Sequence, residues 1–87
     1  NVVAIFNLGV MAENGVGLEQ DYERAIEFYR LAADAGLAAA QYNIGVLYAQ
    51  GLGVATDIEK AKYWLSKAAA QGNKMADHNL GILAAAG

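Results

Sequence analysis

Apolar and small residues recur along this chain at helical spacing. Ala40, Ile44 and Leu47 stand at i, i+4 and i+7, one face of a helix with 3.6 residues per turn. The same face recurs as Ala4, Leu8 and Met11 upstream, and as Ala76, Leu80 and Leu83 downstream. The pattern predicts three equivalent helices, over residues 2–13, 38–50 and 74–86. Between them, Ala25, Tyr29 and Ala32 trace a second kind of stripe, repeated by Ala61, Leu65 and Ala68 and widened by Phe28 and Trp64. Those stripes predict helices over about 21–35 and 57–71, each opened by an aspartate N-cap, Asp21 or Asp57, and a first-turn glutamate, Glu23 or Glu59. We refer to the first kind as A helices and the second as B helices. No alternation of period two, the mark of a strand, is present.

A longer period lies over the helical one. Asn7-Leu8-Gly9, Asn43-Ile44-Gly45 and Asn79-Leu80-Gly81 are each displaced by 36 residues, and so are Gly15 and Gly51, Gly17 and Gly53, Asp21 and Asp57, and Gly36 and Gly72. A fixed period of this size marks a stacked repeat array. The expected architecture is a single all-α domain, a solenoid of helix–loop–helix repeats with five helices. Residues 1–36 form repeat one, 37–72 repeat two, and 73–87 the first helix of an incomplete third repeat. Glycine inside a helix costs about 1 kcal/mol relative to alanine. Its recurrence as Gly9, Gly45 and Gly81 therefore predicts a neighbouring helix crossing close to the backbone at each position. The Gly-x-Gly pairs end the A helices with residues that tolerate positive φ.

The combination Ala-x-Tyr-Asn-Ile-Gly-x-Leu-Tyr, Gly-x-Gly-Val, Asp-x-x-x-Ala and Ala-Ala-x-x-Gly, in this order and spacing, resembles the Sel-like (Sel-one-like) repeat, a tetratricopeptide-related helical repeat with a longer loop inside the helix pair. The resemblance covers essentially the whole chain and implies a right-handed α/α superhelix. It also implies adaptor or assembly-scaffold duty, as in bacterial signalling, cell-envelope and host-interaction proteins and in endoplasmic-reticulum quality control. Two features depart from the family pattern. The cysteine pair per repeat of some secreted members is missing, and Glu19-Gln20 and Ala55-Thr56 stand where a proline often precedes the aspartate cap.

Composition narrows the function further. Apolar residues make up 56% of the chain, yet 19 of them are alanine, which suits closely approaching backbones rather than bulky contacts. A net charge of −3 argues against nucleic-acid and anionic-membrane partners, both of which need a basic face. Residues 1–43 carry six acids against two bases, and residues 44–87 three against four. The uncharged run from Ala35 to Thr56 is interrupted by Gln41, Asn43, Gln50 and four glycines, so membrane insertion is not expected. Without cysteine there is no disulfide frame, thiol nucleophile or thiolate metal site; cytoplasmic, periplasmic and secreted settings all stay open. Lacking an initiator methionine and a leader, the chain reads as an excised or processed piece.

Catalytic chemistry finds no foothold. The Gly-x-Gly pairs follow helices rather than strands and lack the third glycine of a phosphate loop. His78, the sole histidine, aligns with Phe6 and Tyr42 and is expected to fill an aromatic slot. Glu23 and Glu27 lie one turn apart between Arg24 and Arg30, as on a solvated face. No metal-ligand spacing and no cofactor motif is present. The asparagine series Asn7, Asn43 and Asn79 is the sharpest signal, because asparagine is mildly unfavourable inside a helix. In the tetratricopeptide relatives the equivalent position lines the concave surface, where amides can bond the backbone of an extended peptide. By that alignment Val3, Val10 and Asn14 share the arc in repeat one, Ala39, Val46 and Gln50 in repeat two, and Met75, Ile82 and Ala86 in repeat three. Alternatively, the asparagines bond neighbouring helices and only stabilise the stack. The residues expected to meet a partner are Asn7, Asn43, Asn79, Val10, Val46, Ile82, Phe6, Tyr42 and His78. Phe6, Val10, Tyr42 and Val46 offer no basic group to clamp a terminal carboxylate, as some of those relatives do. The leading expectation is a non-enzymatic scaffold or adaptor binding a protein or peptide. The runner-up is a structural segment whose uncapped ends stack on other copies or on missing repeats, with the uneven charge favouring head-to-tail association.

Overall fold

The computed structural model describes residues 1–17 and 19–86; Leu18, Gly87 and the side chain of Ala86, placed above on the concave arc, lie outside the description. Five helices follow in order: α1 (Val2–Asn14), α2 (Tyr22–Asp34), α3 (Ala38–Gln50), α4 (Ile58–Ala70) and α5 (Lys74–Ala86). Thus α1, α3 and α5 are the A helices, and α2 and α4 the B helices. Each packs chiefly on the helix before it and the helix after it. No strand occurs among the described residues.

Local chemistry sets the helix ends. The Asp21 carboxylate accepts from the backbone N–H of Arg24 at 3.0 Å, and Asp57 repeats this with Lys60 at 3.1 Å. Both aspartates hold the same extended backbone, φ −144° and ψ 97°, so the two loops are superimposable at their caps. The loops are also tied back to the preceding helix, because the N–H of Asp21 donates to the Ala12 carbonyl and that of Asp57 to the Tyr48 carbonyl. Two caps were not anticipated. Asn1 accepts from Val3 and Ala4, and Asn73 from Ala76, at the repeat position where Leu37 gives no side-chain cap.

Alanines let the helices close up. Ala25, Ala32, Ala40, Ala61, Ala68 and Ala76 are fully buried, with Tyr29, Ile44 and Leu65 the largest side chains sealed among them. The glycine expectation holds at two positions out of three. A Cβ on Gly9 would stand 2.7 Å from the Tyr29 ring, and one on Gly45 would stand 2.8 Å from Leu65 Cγ. Gly9 and Gly45 thus each receive the large residue of their own repeat's B helix. Gly81 meets nothing within 4 Å, because no helix among the described residues lies on that side of α5.

Two further expectations need correction for the same geometric reason. Leu8 and Met11 were placed on a face equivalent to Ile44 and Leu47, yet they are 45% and 40% exposed while Ile44 and Leu47 are 0% and 2%. Helix α3 has a B helix on each side, whereas α1 has only α2, which it meets through Ile5, Phe6, Gly9 and Ala12. His78 does not fill an aromatic slot. Phe6 fills the first such slot by packing on Tyr29, ring centroids 5.6 Å apart, but His78 is exposed.

Candidate functional site

The A helices bring several of the singled-out residues together. Along α3, Tyr42, Asn43, Val46 and Gln50 follow one another at steps of one, three and four residues, one side of the helix. They join Glu13 of α1, Tyr22 of α2, Leu47, and Leu52 of the following loop around a hollow of about 320 Å³. A second hollow, of about 110 Å³, lies between α3 and α5 and is bounded by Val46, Ala49, Gln50, Asn79, Ile82 and Leu83, with Leu65 of α4. Val46 and Gln50 belong to both, so the hollows adjoin. The first is polar, with a carboxylate, two amides and tyrosine hydroxyls; the second is mainly aliphatic.

Of the nine residues proposed from sequence, Tyr42, Asn43 and Val46 line the first hollow, and Val46, Asn79 and Ile82 the second. Asn43 and Asn79 are half-buried. Asn7, Val10, Phe6 and His78 line neither. Asn7 and His78 are exposed, while Phe6 and Val10 are half-buried against the core. Sequence reasoning missed Glu13, Tyr22, Leu52, Ala49 and Leu83 as lining residues. One signal pointed to Glu13. Repeat one pairs Glu13 with Tyr29, and repeat two pairs Ala49 with Leu65 at the same positions, so the acid and the phenol change together.

That pair is joined in the structure, where the Tyr29 hydroxyl donates to Glu13 Oε1 at 2.9 Å. Burial first, and the nearby Glu13 carboxylate second, push the Tyr29 hydroxyl well above the ordinary tyrosine range, while Asn43 opposes the shift. Tyr29 is therefore a fixed neutral donor beneath the hollow. Gln20 Nε2 holds the rim, donating to the Glu13 carbonyl at 2.8 Å and to the Tyr22 hydroxyl at 3.1 Å. Arg30 and Lys60 are both engaged elsewhere, at Tyr48: Arg30 Nη2 donates to its hydroxyl, and Lys60 Nζ stands 5.5 Å from its ring centroid. Gly53 places the loop beside the hollow, with φ at +78° and a backbone so close to α2 that a Cβ would stand 2.7 Å from the Tyr22 carbonyl oxygen.

Away from this face, Gln41 ties the repeats together from within. Its Nε2 donates to the Ala33 carbonyl at 3.2 Å, and its Oε1 accepts from Gln71 Nε2 at 3.0 Å. Gln71 Nε2 also donates to the Gly36 carbonyl at 2.8 Å. An outward depression on α4 runs past Tyr63 and Lys67 and is lined by that helix alone. Among the described residues no group of His, Asp and Glu side chains is placed to hold a metal ion, and no helix is long and apolar enough to cross a membrane.

The Sel1 repeat profile matches residues 2–37 and 38–73. Among solved structures, a Sel1 repeat protein from Oxalobacter formigenes is 35% identical with a TM-score of 0.93, over 95% of this chain and 34% of that one. A protective antigen of uropathogenic Escherichia coli strains that displays an SLR fold is 39% identical with a TM-score of 0.91, over 92% of this chain and 17% of that one. This chain therefore spans about a third of the first relative and about a sixth of the second. No curated protein matches it in sequence comparison. With the repeat profile covering both helix pairs, the chain belongs to the Sel1 repeat family.

Proposed function

We propose that this chain is a non-catalytic interaction module that takes an extended segment of a partner protein along the face shared by α1, α3 and α5. Sel1 repeat proteins generally mediate protein–protein interaction and form a non-enzymatic scaffold family. The observation that carries the reading to a particular face is the pair of adjoining hollows, which meet at Val46 and Gln50. They set the half-buried amides of Asn43 and Asn79 beside aliphatic side chains. An amide offers both donor and acceptor to a peptide backbone, and the aliphatic floor rewards a buried side chain. Selection of random displayed peptides against the chain tests this. Asn43→Ala should weaken the selected peptides by roughly 1 kcal/mol while leaving the melting curve nearly unchanged. Ile82→Ser should act in the same direction. Selected peptides indifferent to both substitutions would place the binding face elsewhere.

One observation favours a second reading, self-association. Leu8 and Met11 present apolar surface on α1 whose counterparts on α3 are sealed by α2. A second copy covering that face would bury it, and the acidic first half and slightly basic second half suit a head-to-tail arrangement. Light scattering over a concentration series decides: a constant monomer mass throughout removes this reading.

A further inference from the structure

The two hollows differ in charge as well as in size. Among the described residues that line them, Glu13 is the only one with a formal charge, and no lysine, arginine or histidine faces it there. Arg30 and Lys60 make their contacts at Tyr48 instead. A carboxylate has about four acceptor sites. The Tyr29 hydroxyl occupies one of them. The Tyr22 hydroxyl already accepts from Gln20 and so keeps its own proton to donate, while Asn43 and Gln50 add amides, each with an acceptor oxygen, to the lining. The site is a half-buried negative charge in a ring of hydrogen-bonding groups. A partner laying an apolar residue over it would strip water from Glu13 with nothing in return, and an acidic residue would add repulsion. A cation offsets the loss of water and gains charge-assisted hydrogen bonds. The charge is confined to this end of the face, since Ala49 and Ala85 occupy the Glu13 position in the other repeats.

Resting on the groove reading above, we propose that the hollow at Glu13, Tyr22, Asn43 and Gln50 receives an arginine or lysine side chain of the partner segment, whose aliphatic neighbour seats against Leu65, Ile82 and Leu83. The hollows adjoin on either side of α3, and the width of one helix, roughly 10 Å, is covered by an extended chain in about three residues. The recognised segment is therefore a basic residue about three positions from Leu, Ile, Val or Met.

Peptides selected from a random displayed library supply the probe. Enriched sequences should share that basic–aliphatic pair. Glu13→Gln keeps an acceptor for Tyr29 and removes only the charge, so it should weaken them about tenfold. Citrulline in place of the peptide arginine should cost a similar factor, without further loss on the Glu13→Gln protein. The citrulline arm needs no change to the protein, so it reads the contact even if the variant folds poorly. Enriched peptides without a basic residue, or with affinity indifferent to both changes, overturn the cation site. If those peptides still respond to Asn43→Ala and Ile82→Ser, the groove reading survives alone. No enrichment at all overturns both.

Discussion

Alanine substituted at two glycines of the same repeat position should have different effects. At Gly81 a new methyl group meets nothing within 4 Å, so Gly81→Ala collects the helix-propensity gain of about 0.8–1 kcal/mol. At Gly45 the same methyl would stand 2.8 Å from Leu65 Cγ, 3.0 Å from Leu65 Cδ2 and 3.2 Å from the Ala61 carbonyl oxygen. Leu65 is buried, and the carbonyl belongs to the α4 backbone, which no side-chain rotation can withdraw. Relief requires α4 to move away, which costs about 1–3 kcal/mol. Net of the propensity gain, Gly45→Ala is neutral to about 2 kcal/mol destabilising, and Gly45→Leu is worse. The two alanine variants should differ by about 1–3 kcal/mol, and each kcal/mol moves the melting temperature of a domain this size by about 4–8 °C. Thermal unfolding followed by far-ultraviolet circular dichroism measures the gap. A Gly45→Ala protein that melts as high as Gly81→Ala would refute the close crossing.

Three further outcomes follow from single side chains. Asp57→Ala removes the cap on Lys60 and should cost about 1 kcal/mol by the same melting assay; an unchanged midpoint would show that the loop, not the cap, sets the start of α4. Gln41→Ala removes the buried amide that joins the Ala33 carbonyl to Gln71, leaving that carbonyl its bond from the Gly36 N–H, and should cost about 1 kcal/mol, whereas Gln71→Ala, at an exposed site that water can enter, should cost less; equal urea midpoints would contradict this. Tyr29 has its folded pKa raised, so its contribution to stability is complete below the ordinary tyrosine value of about 10 and is lost as pH rises beyond it. Tyr29→Phe should flatten the alkaline decline of stability above about pH 10, and an unaltered slope in urea titrations would count against the assignment.

The fold was legible because it is written more than once. Asp21 and Asp57 announce the same cap, and Gly9 and Gly45 the same close crossing, so each local reading was checked by its copy. Legibility failed where identical residues have different neighbours. Leu8 and Ile44 carry the same pattern, but only Ile44 lies between two B helices; Gly81 and His78 repeat their counterparts without a helix to receive. Periodicity reports what a residue is suited to touch, not whether a partner is present.

The candidate site was half legible, for a related reason. Tyr42, Asn43, Val46, Asn79 and Ile82 were found because their own helix periodicity places them together. Glu13, Tyr22 and Leu52 come from three other parts of the chain, and only the packing of α1 on α2 and the turn at Gly53 assembles them. In the sequence Glu13 is marked only by its change in step with Tyr29 between the two repeats. The structure gives that pairing its meaning, with the Tyr29 hydroxyl bonded to the Glu13 carboxylate at the hollow. The buried Gln41 tie was missed because the other repeats place Ile5 and Asp77 there, so no repetition marked it.

The central claim is that partners are taken on the face of the A helices, and amide chemical-shift mapping tests it most directly. Titrating the isotope-labelled chain with its tightest selected peptide should move the resonances of Tyr42, Asn43, Val46, Asn79 and Ile82. Tyr63 and Lys67 on the outward side of α4 should stay in place. Saturable shifts confined to Tyr63, Lys67 and their neighbours on α4, with the α3 and α5 residues unmoved, would contradict the account.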